Sequence, residues 1–221
     1  MRPLIRLILL LMLALCSSLQ AADDPSAALP EPAPAGATSE RPGILWGTVI
    51  TRDQFAPLTN RQRWDLYWRQ AFWSPSIYVA SLGIAAYGQR NNDPYQWGQG
   101  FDAYVKRAAN EYGRLAIQDT IEAAGAAALK QDVRYVKCQC RGTLRRVAYA
   151  IGMNFVTLNE QGKYRPAYAH YAGAIGAQYI GNTWMPNGYR NWDTNLRDGG
   201  LQLAFNAGFN IVREFFPSKR N

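Results

Sequence analysis

Two carboxylates, Asp119 and Glu122, are the strongest candidates for chemistry in this chain of 221 residues. Their i, i+3 spacing places both on one face of a helix, the apolar face predicted to include Tyr112 and Leu115. Because burying an unpaired charge is costly, such carboxylates must be paired, hydrogen-bonded or protonated. They form either a structural ion-pair cluster or an acid–base pair in which one pKa is raised.

Three arginines, Arg134, Arg145 and Arg146, are predicted to be the cationic partners of these carboxylates. In the structural interpretation they join the helix that carries Asp119 to the following helix. In the alternative, the Asp/Glu–Arg cluster is the centre of a soluble periplasmic binding domain or hydrolase-like enzyme. We favour the structural interpretation, since perturbed carboxylates often belong to structural networks.

The remaining reactive side chains are one histidine and a cysteine pair. His170 lies between Tyr168 and Tyr171, with no serine or cysteine motif near it to suggest a triad. Cys138 and Cys140 could form a strained local disulfide or bridge to another chain. We favour reduced or locally oxidised thiols in a loop, since disulfide geometry disfavours so short a ring. No metal-ligand spacing and no cofactor motif is recognised.

An aromatic face on the first predicted helix suggests a surface for a membrane. This helix is expected to run from Thr59, a good N-cap, to about Trp73. Helices that lie on membranes combine aromatic and basic residues. The alternative is a helix that packs its aromatic face onto the bundle. The predicted face comprises Trp64, Tyr67, Trp68 and Phe72, with Arg61, Arg63 and Arg69 beside it.

Small residues recur at every fourth position in the last two predicted helices. Residues four apart lie on one helix face, so each run forms a groove that lets another helix approach closely. Because Gly costs about 1 kcal/mol relative to Ala in a helix, a packing reason is expected. We predict a tight contact between these two helices, with self-association into homo-oligomers as the alternative. The first stripe is Ala169, Gly173, Ala177 and Gly181, and the second stripe is Gly200, Ala204 and Gly208.

The elements that position these residues are predicted to be helices throughout. The hydrophobic pattern indicates an all-α bundle of about six helices with tight Gly/Ala seams, and no strand pattern competes. The long third helix is predicted to have Asn110 and Arg114 on a polar side and to be enclosed beyond Ala116. The predicted helices run over residues 59–73, 75–86, 101–130, 143–157, 166–182 and 194–216.

The first 43 residues carry targeting and linker signals. Residues 1–21 combine Arg2 and Arg6 with a short apolar stretch, a pattern typical of a secretory signal peptide. Residues 22–43 are rich in Ala and Pro and predict a disordered linker, which leaves residues 44–221 as a single helical domain. Lipidation at Cys16 is disfavoured because Leu15, the residue before it, is not small.

The basic character of the chain belongs to the predicted domain. All but three of the 24 Lys and Arg residues lie in residues 44–221, which favours a membrane surface or an anionic envelope polymer as partner. Export makes nucleic acid the least expected partner. The uncharged stretch between Arg165 and Arg190 is long enough to span a membrane, but its Ala, Gly and Tyr disfavour insertion. We therefore predict an exported, non-enzymatic envelope protein, periplasmic or outer-membrane-associated, with a structural or assembly role.

Several short segments also carry motifs in a recognisable order. They are residues 98–100, 104–107, 132–135, 180–184 and 209–217, together with Arg145 and Tyr149. In this order they resemble a family of exported bacterial helical proteins that has Gly-Tyr-Gly-Lys-Arg, Asp-Pro-Arg-Tyr and a closing aromatic-Pro motif. Here Val105 and Val133 replace a glycine and a proline. The resemblance covers most of residues 57–217, and it implies a helical exported domain without a known activity.

Overall fold

The computed structural model describes residues 48–215, so the predicted signal peptide and linker lie outside the described residues. The described part is 67% helical with little strand, which confirms a mostly helical fold. About six helices were predicted, but only five α-helices in this part of the chain have ten residues or more. The first predicted helix is shorter, because it changes to π-helical geometry after Trp68. The helices are α1 (Asn60–Trp68, followed by a π-helical turn over Arg69–Trp73), α2 (Pro75–Asn91), α3 (Phe101–Ala128), α4 (Thr143–Gly152), α5 (Tyr168–Gly181) and α6 (Trp192–Phe215).

Local sequence signals explain where several of these helices begin. Thr59 caps α1: its hydroxyl accepts from the Gln62 backbone N–H at 3.3 Å, and the Gln62 side chain accepts from the Thr59 N–H at 2.8 Å. This reciprocal capping box satisfies two backbone donors. Pro75 begins α2, where its missing N–H has no cost. The predicted starts of the first two helices are therefore confirmed.

Four short strands correct the prediction that no strand is present. The strand β1 (Val49–Ile50) pairs in parallel with β2 (Tyr135–Val136), and β3 (Val156–Leu158) pairs antiparallel with β4 (Tyr164–Pro166). The fourth predicted helix consequently ends at Gly152 rather than 157. Strands of two or three residues are too short to show an alternating pattern, and the partner of β1 is distant in sequence.

The buried side of α3 is polar, contrary to the prediction that Asn110 and Arg114 lie on its outer face. Both side chains find partners: Trp184 Nε1 donates to Asn110 Oδ1 at 2.8 Å, and Arg114 donates to Gln178 and Asn182. A polar group can be buried when it is hydrogen-bonded. The orientation of α3 predicted from the polarity of its residues is therefore wrong. Its polar stripe comprises Arg107, Asn110, Arg114 and Gln118.

The apolar positions of α3 are correspondingly less enclosed than predicted. Phe101 and Val105 are exposed at its start, and Thr120 and Ala124 are exposed beyond Ala116. A strip along the helix is thus exposed, whereas α1, α2 and α5 contact its covered side. The polar stripe lies on that covered side, and the exposed apolar residues belong to the surface.

The last two helices, α5 and α6, are in contact as predicted, but the first stripe packs on α3 and not on the second stripe. A Cβ atom built on Gly173 would lie 2.9 Å from the Gln118 carbonyl oxygen, and one on Gly181 would lie 2.7 Å from Arg114 Cγ. Real Cβ atoms are not found so close to other heavy atoms. These glycines therefore allow α5 to approach the polar stripe of α3.

The second stripe lies on the exposed side of α6. A Cβ built on Gly200 or Gly208 would meet no other heavy atom of the described residues within 4 Å. The neighbouring Gly199 is the glycine that touches α5, because its Cβ position lies 3.2 Å from Ile175 Cα. Adjacent residues point about 100° apart around a helix. The face of Gly199 is therefore inward, and the second stripe faces outward.

Candidate functional site

The two candidate carboxylates belong to a polar cluster made of Asp119, Glu122, His170 and Arg213. His170 Nδ1 lies 3.0 Å from Glu122 Oε2, and each of these two side chains is 18% exposed. Electrostatic interactions connect Arg213 to both carboxylates. The cluster thus links α3 to α5 and α6.

The hydrogen bonds around His170 favour its charged form. Asn154 Nδ2 donates to the Leu203 carbonyl at 3.0 Å, so Asn154 Oδ1 faces His170 Nε2, at 3.2 Å. The other ring nitrogen faces the Glu122 carboxylate, so both nitrogens donate only if the ring is an imidazolium. The third contact, to Asn206 Nδ2, is longer at 3.4 Å. Burial alone would lower the pKa of His170, but the charge and hydrogen bond of Glu122 outweigh it and raise the pKa.

The pKa values of the two carboxylates are shifted in opposite directions. Burial, together with the charge of Glu122, raises the pKa of Asp119 to about 7, although Arg213 and a hydrogen bond from Gln70 oppose the shift. Burial also acts to raise the pKa of Glu122, but the adjacent His170 overcomes it and the pKa is lowered. Near neutral pH the cluster therefore holds an ionised Glu122 and a partly protonated Asp119.

The predicted arginine partners lie elsewhere, which corrects the proposed Asp/Glu–Arg cluster. Arg134 pairs with Asp132 at 2.6 Å, Arg146 pairs with Glu214 at 2.8 Å, and Arg145 is exposed. Neither His170 nor Arg213 was predicted to be a partner of these carboxylates. The spacing of the first stripe was a usable signal for the histidine. His170 lies three residues before Gly173 and therefore on the same face of α5, the face that contacts α3.

A cavity of about 70 Å³ adjoins the polar cluster. Glu122, His170 and Arg213 line one part of it, and Asp132 and Arg134 line another. This volume admits a few water molecules. Both carboxylates at the wall face cationic partners, Arg134 and His170. Residues 48–215 contain no group of three or more His, Cys, Asp and Glu side chains that could hold a metal ion.

A second buried ionic site surrounds Glu214, a residue with no distinctive signal in the sequence. This side chain is fully buried. Its carboxylate accepts from Arg146 Nε at 2.8 Å, from the Tyr135 hydroxyl at 3.0 Å and from the Cys138 backbone N–H at 3.0 Å. A buried charge with three donors is well compensated. Glu214 therefore fastens α6 to α4 and to the segment after β2.

The cysteine pair lies on this fastened segment. Cys138 and Cys140 form a local disulfide, one of the states considered from the sequence. The Cys140 backbone N–H also donates to Cys138 Sγ at 3.3 Å. Both residues are half-buried, and Gln139 between them is exposed. Its side chain donates to Asp53 Oδ1 at 2.7 Å, which gives the segment a further contact.

The predicted aromatic face of α1 divides into an outer and an inner part. Trp64 and Trp68 are 62% and 45% exposed, and Arg61 and Arg69 are exposed beside them. The side chains of Tyr67 and Phe72 are half-buried, and the Tyr67 hydroxyl lies 3.0 Å from Thr120 Oγ1.

Arg63 does not belong to this outer surface, which corrects its predicted place there. Its guanidinium donates to the Gln131 carbonyl at 2.7 Å and lies 3.6 Å from Glu160. Its side chain is only 12% exposed. Arg63, like its neighbour Gln62, lies on the inner side of α1. There it supplies a hydrogen-bond donor to backbone carbonyls at and just after the C-terminal end of α3.

Exposed apolar side chains are also present on α2 and at the start of α3. The Tyr78 and Tyr112 rings stack at 5.4 Å, and the Tyr104 hydroxyl donates to the Leu82 carbonyl at 3.2 Å. These contacts place α2 and α3 side by side. We define the exposed apolar face as Trp64, Trp68, Trp73, Val79, Leu82, Tyr87, Phe101 and Val105.

Within residues 48–215, the structure has no helix with the length and apolar character that crossing a membrane requires. No family model, curated protein or solved structure matches the chain. The resemblance to exported helical proteins therefore stays a prediction.

Proposed function

We propose that this chain is an exported, non-enzymatic envelope protein that binds the surface of an anionic membrane through the exposed apolar face. The observation that carries the proposal is the exposure of large apolar side chains on neighbouring helices. Trp73 is 72% exposed, Val79 66% and Phe101 78%. Scattered apolar residues are ordinary on a protein surface, but apolar patches on adjacent elements typically mark interaction sites.

The types of residue favour a membrane over another protein. Trp and Tyr prefer the headgroup region, and the aliphatic side chains Val79 and Leu82 can insert below it. Arg61 and Trp64 are three residues apart, and Trp68 follows four residues later, so a cation and two indoles share one side of α1. This arrangement is typical of a helix that lies in the interface.

Charge complementarity supports an anionic membrane as the occupant. Four exposed cations lie on the helices that carry this face, against the two exposed carboxylates of Asp65 and Asp102. The whole chain has a formal net charge of +8. Each basic residue near an anionic membrane contributes about 1 kcal/mol. The four cations are Arg61, Arg69, Arg90 and Lys106.

Sedimentation with lipid vesicles tests the proposal on the whole chain. Vesicles of phosphatidylcholine alone are compared with vesicles that contain phosphatidylglycerol. We expect binding to the anionic vesicles, and we expect about 0.5 M salt to weaken it because ions screen the attraction. Binding that is equal for both vesicle types would contradict an anionic membrane.

A pair of variants separates the exposed apolar face from other apolar segments of the chain. The double variant Val79→Ser, Leu82→Ser should reduce vesicle affinity at least about tenfold, since burial of aliphatic side chains is lost. The matched control, Leu201→Ser with Phe205→Ser, removes exposed apolar side chains on α6 and should leave the affinity unchanged. Equal effects of the two double variants, or no effect of either, would overturn the proposal.

The alternative of a hydrolase-like enzyme receives weaker support. Glu122 and His170 line a cavity, and the pKa of Asp119 lies near neutrality, as acid–base catalysis requires. However, the hydrogen bonds of His170 hold both of its ring nitrogens, so the ring is not poised as a base. The polar cluster therefore fits a structural role better than a catalytic one.

A further inference from the structure

We propose that Cys138 and Cys140 form a thiol–disulfide exchange site that accepts electrons from dithiols. The inference is independent of membrane binding, because it rests on the segment after β2 and not on the exposed apolar face. Both sulfur atoms belong to half-buried residues, and they flank an exposed glutamine. Neither cysteine is fully buried, so the pair lies close to the protein surface.

Three hydrogen bonds hold the segment that carries the disulfide. The Lys137 N–H donates to the Ile50 carbonyl at 2.8 Å, and the Cys138 N–H donates to Glu214 at 3.0 Å. The Gln139 side chain donates to Asp53 at 2.7 Å. These hydrogen bonds fix the chain before Cys140, and the two cysteines are only two residues apart, so the two sulfur atoms stay close when the bond opens. Rapid re-closure of this kind is a requirement for an exchange site.

The surroundings favour Cys138 as the leaving thiolate. The Cys140 N–H points at Cys138 Sγ, and a hydrogen bond to sulfur stabilises its anionic form. Lys137 and Arg141 flank the pair in sequence, and Arg146 neutralises the nearby Glu214 carboxylate. Cationic surroundings stabilise thiolates and increase the reactivity of cysteine.

The exchange is balanced as follows. A substrate thiolate attacks Cys140 Sγ, a substrate–Cys140 disulfide forms, and the Cys138–Cys140 bond breaks with its electron pair on Cys138 Sγ. The second substrate thiolate attacks the substrate sulfur and releases the Cys140 thiolate. The protein disulfide is reduced by two electrons and the substrate dithiol is oxidised to a disulfide. The two substrate protons pass to solvent or to the new thiolates.

The first test measures thiol reactivity in the full chain with Cys16→Ser, which removes the third cysteine. Alkylation by iodoacetamide is followed against pH in two further variants, Cys140→Ser and Cys138→Ser. We expect the Cys138 thiol to react with a pKa at least about one unit below 8.5, and the Cys140 thiol to react with an ordinary pKa. Ordinary values for both thiols would overturn the assignment of Cys138 as the leaving group.

The second test compares disulfide reduction in the folded and the unfolded chain. Dithiothreitol should reduce the folded Cys16→Ser chain about tenfold faster than the same chain in guanidinium chloride. Slower reduction of the folded chain would identify a protected structural disulfide and overturn the proposal. Parallel reactions with reduced glutathione and with a reduced, unfolded ribonuclease then distinguish a small thiol from a protein dithiol as the substrate.

Discussion

The two small-residue stripes have the same four-residue spacing but lie in opposite environments. On α5, Gly173 and Gly181 press against the polar stripe of α3, where a Cβ atom would collide with Gln118 or Arg114. On α6, Gly200 and Gly208 face open space among the described residues. The spacing therefore marks a helix face but does not show what, if anything, covers it.

The difference between the stripes has a physical origin in the partner helix. The polar stripe of α3 carries long side chains, and Arg114 reaches across to Gln178 and Asn182 on the α5 side. Such long side chains fit between α3 and α5 only where the facing residues of α5 have small side chains or none. The first stripe thus makes room for buried polar groups, a role different from the close backbone packing that small residues permit in membrane helices.

The largest expected effect is a loss of stability in Gly173→Leu. Its Cβ would lie 2.9 Å from a backbone oxygen of α3, which cannot move without shifting the helix. We expect a loss of about 4 kcal/mol in the free energy of unfolding, measured by urea denaturation. The matched variant Gly208→Leu should change it by less than about 1 kcal/mol. Equal losses would remove the distinction between the stripes.

A smaller, pH-dependent effect is expected at the covered side of α3 for Asp119→Asn. The folded-state pKa of Asp119 is about 7, above the ordinary aspartate value of 3.8. The folded state therefore holds the proton more tightly, and wild-type stability falls as the pH rises from about 4 to 7.

The asparagine variant does not titrate, so its stability relative to wild type should increase across the same window. The gain should reach about 2 kcal/mol after allowance for solvent screening. Thermal melts at several pH values measure it. A stability difference that stays constant with pH would show that Asp119 is not protonated in the folded state. Gln70, which hydrogen-bonds the same carboxyl, remains in place in both proteins.

A moderate effect is expected for Gly181→Ala in the first stripe. The new methyl group would lie 2.7 Å from Arg114 Cγ, but a side chain can yield where a backbone cannot. We expect a loss of about 1–2 kcal/mol in calorimetry, smaller than that of Gly173→Leu. A stability gain would indicate that Arg114 does not occupy the space above Gly181.

The smallest effect is a gain of stability in Gly208→Ala. Because nothing in the described residues meets the added methyl group, only helix propensity changes, and Ala is favoured by about 0.5–1 kcal/mol. Light scattering on the same variant tests self-association through the second stripe. A stability loss that depends on protein concentration would show that a second copy covers this face.

The sequence was sufficient to predict the helical class and several helix starts, because capping residues and Pro act over a single turn. Thr59 and Pro75 begin helices as expected. It was also sufficient to single out Asp119 and Glu122 as carboxylates with unusual surroundings. It did not identify their partners, since His170 and Arg213 approach from helices far along the chain.

By itself the sequence determined which residues share a helix face. Asp119 shares a face with Glu122, and Gly173 shares one with Gly181, because residues at these spacings lie on the same side of a helix. Only the tertiary structure decided which faces are covered. It turned Arg114 inward and left Val79 exposed. The physical reason is that burial depends on partners distant in sequence. An arginine can be buried where another helix offers acceptors, and a valine stays in water where no helix covers it.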